Sequence, residues 1–309
     1  MPSIVAKNTG GTPVTRASAL LATALEALSP ADTAYAPLSE AYALVAGEEA
    51  YVERHTSQLL VPPGHSVPER EVRQAWDDLL KKTVETDWHA IKLRGETQFE
   101  LGAGMCSGAY EAVVLQNFAL LSDASTVLEI GTFTGTATLA FALLPSVKQV
   151  VALDIEPFLQ DFVAPYWARA GVDSKIAFEI GPALDSLAKL REQGHEGFDV
   201  VFIDADKPSY GDYVRAVVDG GLLKPDGVIL ADNTLYKGYP WAPPGPASLS
   251  SPTNHKYQQA NGTNNKSDSA ATKGIDDFNA FVRAHPDLET CVLPVRDGIT
   301  IIRRAPSRA

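Results

Sequence analysis

Val127-Leu128-Glu129-Ile130-Gly131-Thr132-Phe133-Thr134-Gly135 decides how this chain folds. An apolar run of strand length ends in a glycine-containing turn, and a helical pattern opens right behind it. Val150-Val151-Ala152-Leu153-Asp154 repeats the move, again with an acid at the strand end. In a doubly wound sheet the two turns face one crevice, at the point where the strand order reverses. Glycine lets backbone approach a ligand closely, and Asp154 can accept both hydroxyls of a ribose. The pair predicts a nucleoside-containing cofactor. The pattern lacks the second glycine of the dinucleotide fingerprint, and it places Glu129 inside the strand. A carboxylate there has little use beside a pyrophosphate. It suits a cofactor with a cationic, aminoacyl end, which favours S-adenosylmethionine over NAD. An NAD(P)-dependent oxidoreductase on the same kind of sheet is the alternative.

Outward from this stretch, strand-length runs at 126–130, 149–154, 176–180, 198–204 and 228–232 alternate with helical stretches near 136–144, 158–170, 183–193 and 210–223. Such alternation predicts an α/β, mostly parallel sheet with right-handed crossovers. After a helix near 275–284, two runs joined through Arg296-Asp297-Gly298 read as an antiparallel hairpin. The sheet then has seven strands. Helical patterns at 17–28, 37–55, 68–82, 83–95 and 110–121 precede it, interrupted by Val61-Pro62-Pro63-Gly64. Residues 1–16 are expected to form an arm, 1–103 an N-terminal extension, 104–309 the sheet domain, and 240–273 a long surface loop.

The second constellation joins Ile203-Asp204-Ala205-Asp206-Lys207 with Ala231-Asp232-Asn233-Thr234. At the ends of adjacent parallel strands, Asp204, Asp232 and Asn233 offer oxygen ligands without His or Cys. That set suits a hard cation such as Mg²⁺, Mn²⁺ or Ca²⁺. Lys207 stands one turn beyond Asp204, where it can take a proton. Acids at strand ends also cap helices, so the two strand ends carry weight only together. Met105, Cys106 and Ser107 precede a helix and are placed to touch a cofactor. Trp76 and Trp88 are expected in the core. Tyr236, Tyr239 and Trp241 flank the long loop, where they either wall a planar substrate or anchor the loop.

Composition excludes other classes. Lys and Arg number 26 against 38 Asp and Glu, for a net charge of −12. Nucleic-acid and anionic-membrane surfaces need the opposite balance. Cys106 and Cys291 are the two cysteines, and the six histidines show no zinc-site spacing. The N-terminus does not resemble a signal peptide, which makes the cytosol the expected compartment.

Several motifs carry a resemblance. Glu129 to Gly135, Ala170-Gly171-Val172-Asp173, Gly181-Pro182-Ala183-Leu184, Ile203 to Lys207, Asp232-Asn233-Thr234-Leu235 and Leu293-Pro294-Val295-Arg296-Asp297-Gly298-Ile299-Thr300 resemble the cation-dependent O-methyltransferases, the caffeoyl-CoA and catechol O-methyltransferase family. The resemblance implies a Rossmann-like class I S-adenosylmethionine fold, usually dimeric. It implies cofactor contacts at Ser107, Glu129, Gly131, Asp154, Ala183 and Asp204. It implies metal ligands at Asp204, Asp232 and Asn233, with Mg²⁺ the expected ion, and Lys207 as general base acting beside Asp204. The acceptor is then a small molecule with two neighbouring oxygens, and the assembly a homodimer. One departure is Thr136-Ala137 after Gly135, where the family usually has Tyr-Ser; Thr136 or Thr138 is the candidate replacement. Residues 8–15, the helix around Trp88 and Met105-Cys106-Ser107-Gly108 resemble the branch of the family in mycosporine-like amino acid biosynthesis. That branch methylates an enol oxygen of demethyl-4-deoxygadusol.

Overall fold

The computed structural model describes residues 11–242 and 265–306. Seven strands form one sheet in the order β3-β2-β1-β4-β5-β7-β6. They are β1 (Thr126–Ile130), β2 (Gln149–Asp154), β3 (Ile176–Ile180), β4 (Phe198–Ile203), β5 (Leu223–Ala231), β6 (Leu288–Leu293) and β7 (Ile299–Arg304). The first five run parallel, and β7 pairs antiparallel with both β5 and β6. The expected doubly wound sheet with its antiparallel edge is what forms.

Successive strand residues point to opposite faces, and each face has its own core. Val127, Val150, Val200, Phe202 and Leu230 pack under α3 (Glu69–Glu85), α4 (Trp88–Leu93), α5 (Gly108–Leu121), α6 (Thr136–Leu143) and α7 (Phe158–Arg169). Leu128, Val151, Val201, Ile203 and Ile229 pack against α8 (Ala183–Glu192), α9 (Tyr210–Asp219) and α10 (Asn265–Ala284). Trp76 and Trp88 lie in the first core, as expected. So do Leu59, Val61 and Leu101, which makes residues 59–101 part of the packing around the sheet.

Two N-terminal helices stand apart from both cores. Neither α1 (Pro13–Glu26) nor α2 (Tyr35–His55) has a buried residue. The expected arm over residues 1–16 is corrected here, because helix already begins at Pro13. Thr12 and Thr15 form a reciprocal cap with Pro13 at the first helical position. The expected loop at 240–273 is shortened as well: α10 starts at Asn265, so its last nine residues are helical. Residues 243–264 lie outside the described residues. No described helix is long and apolar enough to cross a membrane.

Candidate active site

The sheet topology aligns the site residues. Ile130 pairs with Leu153 and with Ile203, and Ile203 pairs with Ala231. The next residue on each strand therefore emerges in one row at the carboxyl edge: Asp154, Gly131, Asp204 and Asp232. Backbone bonds hold the row, with Gly131 N donating to Leu153 O (2.9 Å), Asp204 N to Ile130 O (2.9 Å) and Asp232 N to Ile203 O (2.9 Å). A methyl on Gly131 would stand 2.1 Å from Asp204 O, so the approach of β1 to β4 requires glycine. The strand order reverses at this place, where ligands bind in such sheets.

A cleft of about 870 Å³ opens above the row. Ser107, Glu129, Gly131, Asp154, Ala183, Asp204, Lys207, Asp232 and Asn233 all line it, so the fold brings every sequence-expected site residue together. Five of the six described non-glycine residues with left-handed φ also line it: Phe133, Asn233, Tyr236, Lys237 and Arg296. Strained backbone of this kind gathers where a ligand site over-determines the chain.

At the β1 end, Glu129 is buried and Thr138 Oγ1 donates to its Oε2. Burial pushes its carboxyl up to about 8. Thr138 thus spends its hydroxyl on Glu129, whereas Thr136 lines the cleft and contacts Cys106 Sγ at 3.4 Å. Asp154 Oδ2 accepts from Thr132 N (3.0 Å) and Phe133 N (2.8 Å), and Oδ1 accepts from Glu156 N (2.9 Å). The acid is oriented by the turn it faces. Burial still raises its carboxyl above the usual range, against those backbone bonds.

At the other end, Lys207 Nζ donates to Asp204 Oδ1 (2.8 Å) and to Tyr210 Oη (2.7 Å), and Tyr210 Oη donates to Asp232 O (3.1 Å). Burial works to lower the Lys207 ammonium, but Asp204 and Asp232 outweigh it and hold it above the usual lysine range. Lys207 is therefore a protonated charge partner here. Asp232 is raised, first by burial and then by Asp204. The expected metal set is two acids and an amide. Among the described residues no cluster of three or more His, Cys, Asp or Glu is arranged to hold a metal.

The family profile for O-methyltransferases matches residues 82–305. The chain belongs to the O-methyltransferase family. Membership removes the oxidoreductase alternative. Relatives of this O-methyltransferase include caffeoyl-CoA O-methyltransferase 1 of Eucalyptus globulus, 38% identical over 202 residues, which cover 65% of this chain and 75% of the relative. The caffeoyl-CoA O-methyltransferase of Medicago sativa is 36% identical over 203 residues, with 65% and 75% covered. Among solved structures, an S-adenosylhomocysteine-bound methyltransferase from Podospora anserina shares the fold, with a TM-score of 0.64 and 23% identity. That alignment covers 85% of this chain and 96% of the other.

Three cleft residues escaped the sequence reading. Glu111 on α5 is buried, and its carboxyl is raised well above the usual range by burial and by Asp232. Arg296 and Asp297 come from the β6–β7 turn. Arg296 Nη1 donates to Ser107 O (2.8 Å), and Asp297 Oδ1 accepts from Lys237 N (2.5 Å). Asp297 is raised to about 8, mainly by burial. The aromatic candidates divide. Tyr236 lines the cleft, Tyr239 lies under Arg16, whose guanidinium sits 4.7 Å from the ring, and Trp241 is mostly exposed.

Proposed function

We propose that this O-methyltransferase moves the methyl group of S-adenosylmethionine to one of two adjacent oxygens of a small ring, with a divalent cation held by Asp204, Asp232 and Asn233. The observation that carries this reading is the row at the carboxyl edge. It sets the Gly131 turn and Asp154 directly beside two buried acids and an amide.

The donor chemistry fits both groups. Two carboxylates and an amide oxygen suit a hard ion such as Mg²⁺. That Asp204 draws an ammonium to 2.8 Å shows how strongly the buried acids demand positive charge. On the cofactor side Asp154 Oδ1 accepts from Glu156 N, and a carboxylate oxygen can accept more than one bond. Glu129 offers its carboxyl to an aminoacyl end, Thr136 stands where the family's cofactor-contacting hydroxyl is missing, and Ser107 and Ala183 line the remaining wall.

The chain's own residues position the reactants, which is where much of the rate of a methyl transfer arises. Tyr210 fixes the Lys207 ammonium against Asp204. A base role for Lys207 depends on the two acids losing their excess negative charge, since at present they hold its proton. A bound divalent cation would supply that charge and acidify an oxygen chelated to it.

For the acceptor, the likeness of residues 8–15 and 105–108 to the mycosporine branch supports demethyl-4-deoxygadusol, a cyclohexenone with adjacent oxygens. Identity of 38% to a caffeoyl-CoA O-methyltransferase supports a catechol or caffeoyl-CoA type of acceptor as the second reading. The test is release of S-adenosylhomocysteine from each of these acceptors, with Mg²⁺ and with EDTA. Turnover of the cyclohexenone that EDTA abolishes, and that Asp204→Ala or Asp232→Ala reduces at least about 100-fold, is the expected result. Full activity of either variant under EDTA would overturn the cation site.

A further inference from the structure

One buried acceptor in the cleft has nothing to accept from the described residues. Glu111 is 3% exposed and lines the cleft together with Asp232, and its Oε1 has no hydrogen-bond partner among the described residues. A buried unpaired oxygen costs about 1–3 kcal/mol. A cleft wall that keeps one points to a donor arriving with the ligand. Beside it, Arg296 Nε stands 3.9 Å from Glu111 Oε2, beyond hydrogen-bond reach. The hydrogen bond Arg296 does make, to Ser107 O, uses one N–H of a fork that carries five.

The two groups together restrict the ligand. A carboxylate or phosphate would suit Arg296 but, once ionised, has no hydrogen to donate to Glu111 Oε1. An ammonium would suit the acids but meet Arg296 and Lys207. A neutral hydroxyl serves both, donating to Glu111 Oε1 and accepting from the guanidinium. Thr12, Lys237 and Asp297 add further polar groups to the lining, with Tyr236 as the ring among them.

We propose that Glu111 and Arg296 form a subsite for a third, uncharged oxygen of the acceptor, next to the two oxygens assigned to the cation. The preferred acceptor is then a polyhydroxylated ring, and a simple catechol is a poor one. This inference rests on the methyl-transfer reading above.

Catechol and pyrogallol differ by a single hydroxyl and serve as probes. Their binding to the protein with S-adenosylhomocysteine and Mg²⁺ is measured by calorimetry, and methyl transfer separately by product release. The wild type is expected to favour pyrogallol about tenfold or more in affinity and in kcat/KM. Glu111→Leu and, separately, Arg296→Met are expected to bring that ratio to within about twofold of unity. A cooperative thermal transition identifies the variants that fold, and either one suffices. A ratio near one in the wild type, or a ratio that survives in a folded variant, overturns the subsite. Preferential binding of pyrogallol without methylation of either ring keeps the subsite and overturns the methyl-transfer reading.

Discussion

Glu129, proposed above as a cofactor contact, is held in the fold at a cost to stability. Its carboxyl rises from an ordinary 4.5 to about 8 because it is buried. Between those values the folded protein holds a proton that the unfolded chain has lost. Stability therefore falls as pH rises through that window, by an amount on the order of a few kcal/mol. Glu129→Gln keeps an oxygen for Thr138 and removes the titration. Its melting temperature is expected to exceed the wild type's at pH 8.5 and to approach it at pH 5, in scans across that range. The same change removes the partner of an aminoacyl cation. Affinity for S-adenosylmethionine is expected to drop about tenfold or more by calorimetry, as for a lost charge-assisted bond. A variant that is no more stable at high pH, or that binds the cofactor unchanged, contradicts the assignment.

At the scale of elements, the β6–β7 hairpin clamps the segment that follows Asn233. Thr234 N donates to Gly298 O (3.0 Å), Leu235 N to Asp297 O (2.8 Å), Thr300 Oγ1 to Thr234 Oγ1 (2.8 Å) and Lys237 N to Asp297 Oδ1. Gly298 has φ +92°, and a methyl there would stand 2.4 Å from Leu235 Cγ. The clamp holds Asn233, Tyr236 and Lys237 in left-handed backbone. Asp297→Ala strands the Lys237 N–H and is expected to cost about 1–3 kcal/mol in denaturant unfolding. Its acceptor KM should rise more than its cofactor KM, since the released segment lies on the acceptor side.

The strands β1 to β5 were legible in the sequence because each contains a short, mostly apolar run ended by Gly or Asp. Asp204 and Asp232 could be paired because parallel topology puts consecutive strand ends side by side. Glu111 and Arg296 were not legible as a pair: they lie 185 positions apart, Glu111 sits in no quoted motif, and Arg296 read only as part of a hairpin turn. Only the turn of an edge hairpin folding back onto α5 brings them together. The start of α1 did carry a local signal, Thr12-Pro13 with Thr15 three residues after Thr12, but the surrounding Gly and Thr masked it. The start of α10 was hidden in a polar stretch, Asn265 to Lys273, that shows no apolar periodicity.

Across the whole molecule, the packed core and the helices α1 and α2 are separate parts of the chain. The core begins at Leu59, and the backbone of Leu60 is fastened at both ends by Gln116 of α5, with Leu60 N donating to Oε1 (2.8 Å) and Nε2 donating to Leu60 O (3.1 Å). Ahead of that anchor, α1 and α2 pack on each other without a buried residue and lie outside the residues that the family profile matches. Their link to the site is narrow. Thr12 lines the cleft and donates to Glu49 (2.8 Å), and Arg16 donates to Lys237 O (3.1 Å) while covering the Tyr239 ring. All of these contacts fall on the side of the cleft proposed for the acceptor, and none touches the Gly131 turn or Asp154. A chain that begins at Ser57 should therefore keep its fold, with a melting temperature within a few degrees of full length, because surface contacts of this kind contribute little. It should bind S-adenosylhomocysteine as the full chain does. Acceptor KM should rise about fivefold or more as the segment around Lys237 loses its outer support. Arg16→Ala in the full chain should move the same constant in the same direction by a smaller factor. A truncated protein with unchanged acceptor kinetics would leave α1 and α2 without a part in the reaction. One that lost cofactor binding as well would show that the two halves of the cleft depend on each other more than their contacts imply.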